Sequence, residues 1–289
     1  MSANPHNPMA QITGPVGIIA GGGPLALTIA EAVVKSGNTV FVCALEGLGD
    51  PALQNYPHEW VSFGSVGRII EKFRQADCQK IVMIGHVKRP DKSKMIPDFG
   101  EMHYAKTLSK TLRGGDNQIL SGIVDFFESE GFSVLGAHEV IPRNLIDEGA
   151  VGRHSHGPDN DVDITIGFKV LKVMGELDVG QATVVCGGYV LAVEAAEGTD
   201  ERLRRVAKLR KDGIVHHKGG VLVKIPKSTQ DIRVDMPVIG PVTVELVAKA
   251  GLSGIIVHAN CVLCHDRAAL IRRADELGVF VEGAIPPAN

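Results

Sequence analysis

The chain has 289 residues, 44% of them apolar and 22% charged. That is the balance of a globular protein with a sizeable core, not of a disordered chain. A formal charge of -3 gives no global basic field for nucleic acid, and at roughly 150 residues per domain two domains are expected.

The first residues, MSANPHNPMAQITG, are polar and broken by proline. They show no apolar h-region, so no export signal is expected. No run of about 18 apolar residues is present, so no membrane span is expected. The five cysteines are read as reduced cytoplasmic thiols.

VGIIA (16–20) reads as a buried strand running into Gly21, Gly22 and Gly23, with Pro24 where a helix begins. LALTIAEAVVKSG continues as a helix that ends at Gly37. NTVFVCAL (38–45) is the next strand, a helix covers 66–76, and KIVMIG (80–85) is a strand. After the basic loop HVKRPDKSK, helices are expected near 101–112 and 116–130, the second capped by Asp116. FSVLGA (132–137) closes the alternation as a strand. Strands alternating with helices imply a parallel sheet with both faces covered.

Over 141–161 the periodicity fails, and Gly, Pro, His and Asp dominate. The boundaries follow: a Rossmann-like domain over 12–143, a linker over 144–161, and a second α/β domain over 162–286. His154 and His156 in the linker are read as solvated. The second half offers a helix (162–177), strands ATVVC and YVLAVE, and the charged helix TDERLRRVAKLRKDG. Strand GGVLVKI, helix GPVTVELVAKAG, strand SGIIVHA and helix DRAALIRRADELG follow. Two such halves would meet at a central cleft, where ligands commonly sit.

Gly21, Gly23 and Ala26 match G-x-G-x-x-A between strand and helix. Such a turn aims backbone N–H groups at an anion and lets a phosphate approach. Glu46 follows the second strand, where a ribose-binding acid of a dinucleotide enzyme would stand. An NAD-dependent oxidoreductase is one reading of this half. CVLCH (261–265) has the form of a haem-attachment site, but the missing export signal and missing further ligands favour two chance thiols.

The second half carries what a dehydrogenase does not need. VEAAEGTDE (193–201) brings Glu194, Glu197, Asp200 and Glu201, with Thr199 as a cap or anion contact. VKIPKSTQDIRVDMP (223–237) brings Lys224, Lys227, Asp231, Arg233 and Asp235. In an extended segment Asp231, Arg233 and Asp235 share one face. Carboxylates that hold Mg²⁺ beside cations that neutralise phosphate suit a metal-bridged diphosphate. Arg202 to Arg205 read as a solvated helix face.

Together, GIIAGGGPLA, GHVKRP, GDNQILSGIVDFFESEGFSVLGAHEV, LDVGQATVV, VLAVEAAEGTDERLRRVAKLR, GVLVKIPKSTQDIRVDMPVIGPVTVE and AGLSGIIV resemble the metal-dependent UDP-2,3-diacylglucosamine pyrophosphatases of lipid A biosynthesis. The likeness runs from Gly17 to about Gly283. It implies a hydrolase that cleaves UDP-2,3-diacylglucosamine to UMP and 2,3-diacylglucosamine 1-phosphate with Mg²⁺, or Mn²⁺ in its place. It places the essential aspartate in QDIRVDMP, at Asp235, with Asp231 as the second choice. Asp235, Asp231, Glu194 and Glu197 are then the expected metal ligands. Arg233, Lys224 and Lys227 would balance phosphate charge, and Lys88 and Arg89 would reach in from the first domain. Gly21 to Gly23, with Pro24 and Thr199, would line the diphosphate.

Acyl chains imply peripheral contact with the inner leaflet of a Gram-negative cell from the cytoplasm. A homodimer is compatible with the sequence, and no nucleic acid partner is expected. The alternatives are the NAD-dependent oxidoreductase and a non-catalytic nucleotide-sugar sensor.

Overall fold

The computed structural model describes residues 12–87, 115–195, 197–228 and 230–287. The helix expected near 101–112 lies outside the described residues, as do Lys88 and Arg89. The chain divides into two compact units. The first comprises Met1–Arg143 and Asp231–Asp235, and the second Asn144–Gln230 and Met236–Asn289.

The first unit follows the expected alternation. Its elements are β1 (Val16–Ala20), α1 (Leu25–Lys35), β2 (Val40–Leu45), β3 (His58–Val61), α2 (Val66–Gln75), β4 (Lys80–Ile84), α3 (Asp116–Ser129), β5 (Ser133–Leu135) and the single turn α4 (Ala137–Val140). The strands form one sheet in the order β3-β2-β1-β4-β5, and every pairing is parallel. The order reverses between β1 and β4, so the loops after those two strands meet at the switch point of the sheet. β3 is an edge strand that periodicity misses: in HEWV only Val61 is buried. Phe73 of α2, fully buried, packs edge-on against Phe41 and Phe132. Burying such a ring is worth about 2–3 kcal/mol.

In the second unit lie β6 (Gly149–Ala150), α5 (Asp161–Glu176), β7 (Ala182–Cys186), β8 (Tyr189–Val193), α6 (Gly198–Lys211), β9 (Val221–Lys224), β10 (Val238–Ile239), α7 (Pro241–Lys249), β11 (Gly254–His258), β12 (Leu263–Cys264), α8 (Arg267–Leu277) and β13 (Phe280–Ala284). The main sheet has the order β13-β11-β9-β7-β8. β13, β11 and β9 are parallel, whereas β7 runs antiparallel to both neighbours. Alternation along the strands splits the core in two. Leu222, Ile255 and Val257 join residues of α6, α7 and α8. Val221, Val223 and Ile256 join Phe168 and Leu171 of α5 on the other face.

The stretch expected as a linker over 144–161 belongs to the second unit's fabric. Ile146 is fully buried in its core. Its N–H donates to the Val262 carbonyl at 3.0 Å and its own carbonyl accepts from Asn260 at 2.8 Å. Val151 N–H donates to the Val281 carbonyl at 2.9 Å. His156 is exposed, as expected, and also sits 2.6 Å from a buried Glu282 oxygen through Nδ1, while its backbone N–H donates to the other. The polar composition reflects an edge strap bonded through its backbone and side chains rather than a free tether.

Candidate functional site

In the first unit the glycine turn does something other than cradle an anion. Gly21 N–H donates to the Ile84 carbonyl at 2.8 Å, and Gly22 N–H donates to the His86 carbonyl at 2.9 Å. His86 N–H returns a bond to Gly22 at 2.9 Å. A Cβ on Gly21 would stand 2.8 Å from the His86 oxygen, and one on Gly85, at φ +99°, would stand 2.7 Å from the Gly21 carbonyl carbon. The glycines thus let two backbones touch at the switch point. This corrects the expectation that Gly21 and Gly22 offer N–H groups to a diphosphate. Gly23 and Pro24 are exposed beside them. Glu46, the candidate ribose acid, is exposed and accepts the Ser62 hydroxyl at 2.8 Å.

The charged turn Asp231–Asp235 also belongs to the first unit, not to the second domain, where the sequence placed it. Val234 packs against the core beneath β4 and β5, which explains the assignment. Asp231 Oδ1 accepts from the Arg233 backbone N–H at 3.0 Å and from Nε at 3.0 Å. Asp231 Oδ2 accepts from Nη2 at 2.7 Å. Arg233 Nη1 continues to Glu128 of α3 at 2.7 Å. The bonded guanidinium holds the Asp231 carboxyl below its ordinary range, and the carboxylate in turn raises the pKa of Arg233. Close by, burial lowers the pKa of His138, whose Nδ1 is buried without a partner among the described residues. Asp231 and Arg233 are therefore bonded to each other rather than standing side by side on one face of an extended segment. The Asp235 backbone N–H donates to the Asp231 carbonyl at 3.1 Å, and its side chain is partly exposed.

The second unit holds a different cluster at the carboxyl end of β9. Lys224 is 6% exposed. Its Nζ donates to the Val238 carbonyl at 2.8 Å and to Thr199 Oγ1 at 3.2 Å. Thr199, in the first turn of α6, donates to Glu194 Oε1 at 3.0 Å. Arg202 Nη1 donates to the Ala182 carbonyl at 3.0 Å and lies 3.5 Å from Glu194 Oε2. Arg202 is fully buried, so desolvation lowers its pKa. The sequence reading as a solvated face missed it. A signal exists, because Thr199, Arg202, Leu203 and Val206 follow the i, i+3, i+4, i+7 rule of a covered stripe.

The remaining expected residues are engaged elsewhere. Lys227 pairs with Asp178, so it staples its loop to the end of α5 instead of balancing phosphate. Glu197 lies 3.3 Å from Arg205. Glu194, Glu197 and Asp231 thus each face a cation of the protein and do not fit as a preformed ligand set. Among the described residues no three His, Cys, Asp or Glu gather to hold a metal ion. Burial pushes the thiol of Cys264 up to about 12, and that of Cys43 likewise to about 12. Thiols so far from ionisation are poor nucleophiles.

Two family models cover most of the chain: the LpxI N-terminal domain matches residues 15–144 and the LpxI C-terminal domain matches residues 147–282. A relative from Caulobacter vibrioides, the UDP-2,3-diacylglucosamine pyrophosphatase LpxI, is 41% identical over 273 residues, covering 94% of this chain and 98% of its own. With both domain models matched in order and that identity sustained end to end, the chain belongs to the LpxI family.

Proposed function

We propose that the protein hydrolyses the diphosphate of UDP-2,3-diacylglucosamine in lipid A biosynthesis. The observation that carries this reading is the 41% identity over 94% of the chain to a pyrophosphatase of that specificity. Water adds its oxygen to the sugar-side phosphorus, the P–O–P bond breaks, and UMP leaves with the bridging oxygen. The products are UMP and 2,3-diacylglucosamine 1-phosphate. Buried, protonated thiols support direct attack by water over a covalent cysteine intermediate.

Asp235 is the acting carboxylate in this reading, the position to which the resemblance in QDIRVDMP points. Lys224 brings a positive charge to the end of β9, and Thr199 opens α6, whose N-terminus favours anions. Each is proposed as an anion contact of its own unit. Mg²⁺ is the proposed cofactor, with Mn²⁺ in its place; when bound it neutralises phosphate charge and acidifies coordinated water. Mg²⁺ typically takes one or two carboxylates plus substrate phosphates rather than an all-protein cage. The absence of a three-ligand cluster among the described residues is compatible with that mode, with Asp235 as the protein contact.

Incubation with UDP-2,3-diacylglucosamine, with and without a chelator, followed by mass spectrometry tests the reaction. We expect UMP and the sugar 1-phosphate, loss of both on chelation, and a drop of about 10³-fold in Asp235→Asn, the scale of losing one preorganised catalytic group. Binding without products would point instead to a sensor. Near-normal turnover by a folded Asp235→Asn protein would remove that residue from the mechanism.

The acyl chains of this substrate imply reversible contact with the inner leaflet. No described helix is long and apolar enough to cross a membrane. Co-sedimentation with vesicles carrying the substrate checks the contact; a protein that stays in the supernatant at every lipid concentration would refute it.

A further inference from the structure

We propose that Asp231 and Arg233 are positioning residues: their fork, tied to Glu128 of α3, fixes the turn that presents Asp235. This rests on the reading of Asp235 as the acting carboxylate. Two layers of bonding define the turn. Along the backbone, the Asp231 carbonyl accepts from both Val234 and Asp235 N–H at 3.1 Å. Between side chains, the carboxylate of Asp231 takes the Arg233 backbone N–H, Nε and Nη2, while Nη1 reaches Glu128 Oε1 at 2.7 Å.

Every part of that arrangement lies within the first unit. Val234 is held against its hydrophobic core. The Arg233 backbone is pressed toward Gly136, where a Cβ would stand 3.2 Å from the Arg233 Cα. One guanidinium therefore joins the start of the turn to a helix. The anchor is directional, because Arg presents a planar fork and Lys only a point charge. With the fork gone, the turn keeps its backbone bonds and Val234 but loses its tie to α3, so the turn as a whole can shift. A shift near 1 Å at a reacting group costs on the order of 10²-fold in rate while leaving binding largely intact.

A positioning role and a substrate-contact role for Arg233 predict different kinetics. Steady-state rates with UDP-2,3-diacylglucosamine should show kcat lowered about 10- to 100-fold in Arg233→Ala with KM little changed. Glu128→Gln, which keeps the shape but weakens the anchor, should give a smaller loss in kcat. Added guanidinium should restore part of the Arg233→Ala rate, because it refills the site between Asp231 and Glu128. It should restore nothing to Asp235→Asn.

A rise in KM at unchanged kcat would overturn the proposal in favour of direct phosphate contact. Wild-type kinetics in Arg233→Ala would overturn it outright. If Arg233→Ala fails to fold, Arg233→Lys and Glu128→Gln carry the same kcat-against-KM comparison. Asp235→Asn keeps the two readings apart: its retained activity defeats the assignment of Asp235, whereas its loss beside an unaffected Arg233→Ala defeats only the positioning role.

Discussion

Each unit builds a cluster of opposite charges at a place the sequence marks as chemical, and the two are built differently. In the first unit the Glu128–Arg233–Asp231 chain is open to water, with Arg233 34% and Glu128 43% exposed in their side chains. In the second unit Arg202 is 0% and Glu194 9% exposed. Solvent screens the first, so its bonds orient a turn at little energetic consequence. Desolvation dominates the second, so each partner stabilises the other against a large penalty. The same residue types thus serve geometry in one unit and integrity in the other.

The sharpest break of this comparison is Glu194→Ala. Removing the carboxylate leaves Arg202 buried with Nε and Nη2 already lacking partners among the described residues. It also deprives Thr199 of its acceptor. Breaking a buried pair from one side costs about 3–5 kcal/mol. Thermal melting should show a fall of roughly 10 °C. Pairing Glu194→Leu with Arg202→Met should recover most of the loss, because apolar replacements of both partners remove the stranded charge. A loss under about 1 kcal/mol in Glu194→Ala would place this pair in the same class as the exposed one.

The contrast also marks how far the sequence could be read. Strand-helix alternation was legible because β1, β2, β4 and their helices bury complete apolar faces. The parallel order of the first sheet followed from that alternation. Arg202 was misread because most of its neighbours in the charged helix are solvated, although its spacing from Leu203 and Val206 marks the covered stripe. The glycine turn was legible as a turn but not in its use, because a close backbone approach to His86 requires glycine for the same reason a phosphate does. Asp231 and Arg233 stood out in the sequence, but an alternating pattern implies an extended segment with both groups on one face. The turn Asp231–Asp235 bends them onto each other. The strap over 144–161 was hidden because its bonds are made by backbone groups and by single polar side chains, which carry no periodicity.

On the exposed side of the comparison, Arg233→Ala should shift stability by less than about 1 kcal/mol, within about 4 °C in the melting midpoint. That outcome, combined with a lowered kcat, separates orientation from integrity in one variant. A loss as large as that in Glu194→Ala would mean that the turn is a structural pillar of the first unit, and the contrast between the clusters would collapse.

The smallest expected effect is reached with acid. Arg233 holds the Asp231 carboxyl below its ordinary value of 3.8. Below that value the unfolded chain takes up a proton that the native carboxylate still refuses, so stability falls as pH falls. The contribution is complete above pH 3.8 and is lost as pH drops through the lower native value. Of the groups around it, Arg233 stays charged, Glu128 shares the guanidinium, and His138 has a pKa that burial lowers from 6.5. The native state resists protonating His138, so its own loss of stability begins higher, as pH falls below 6.5. Melting midpoints of the protein and of Asp231→Asn should therefore converge as pH falls below 3.8. A constant gap down to the lowest pH would show that the Asp231 carboxylate contributes by shape alone and that its bond to Arg233 adds no charge-dependent stability.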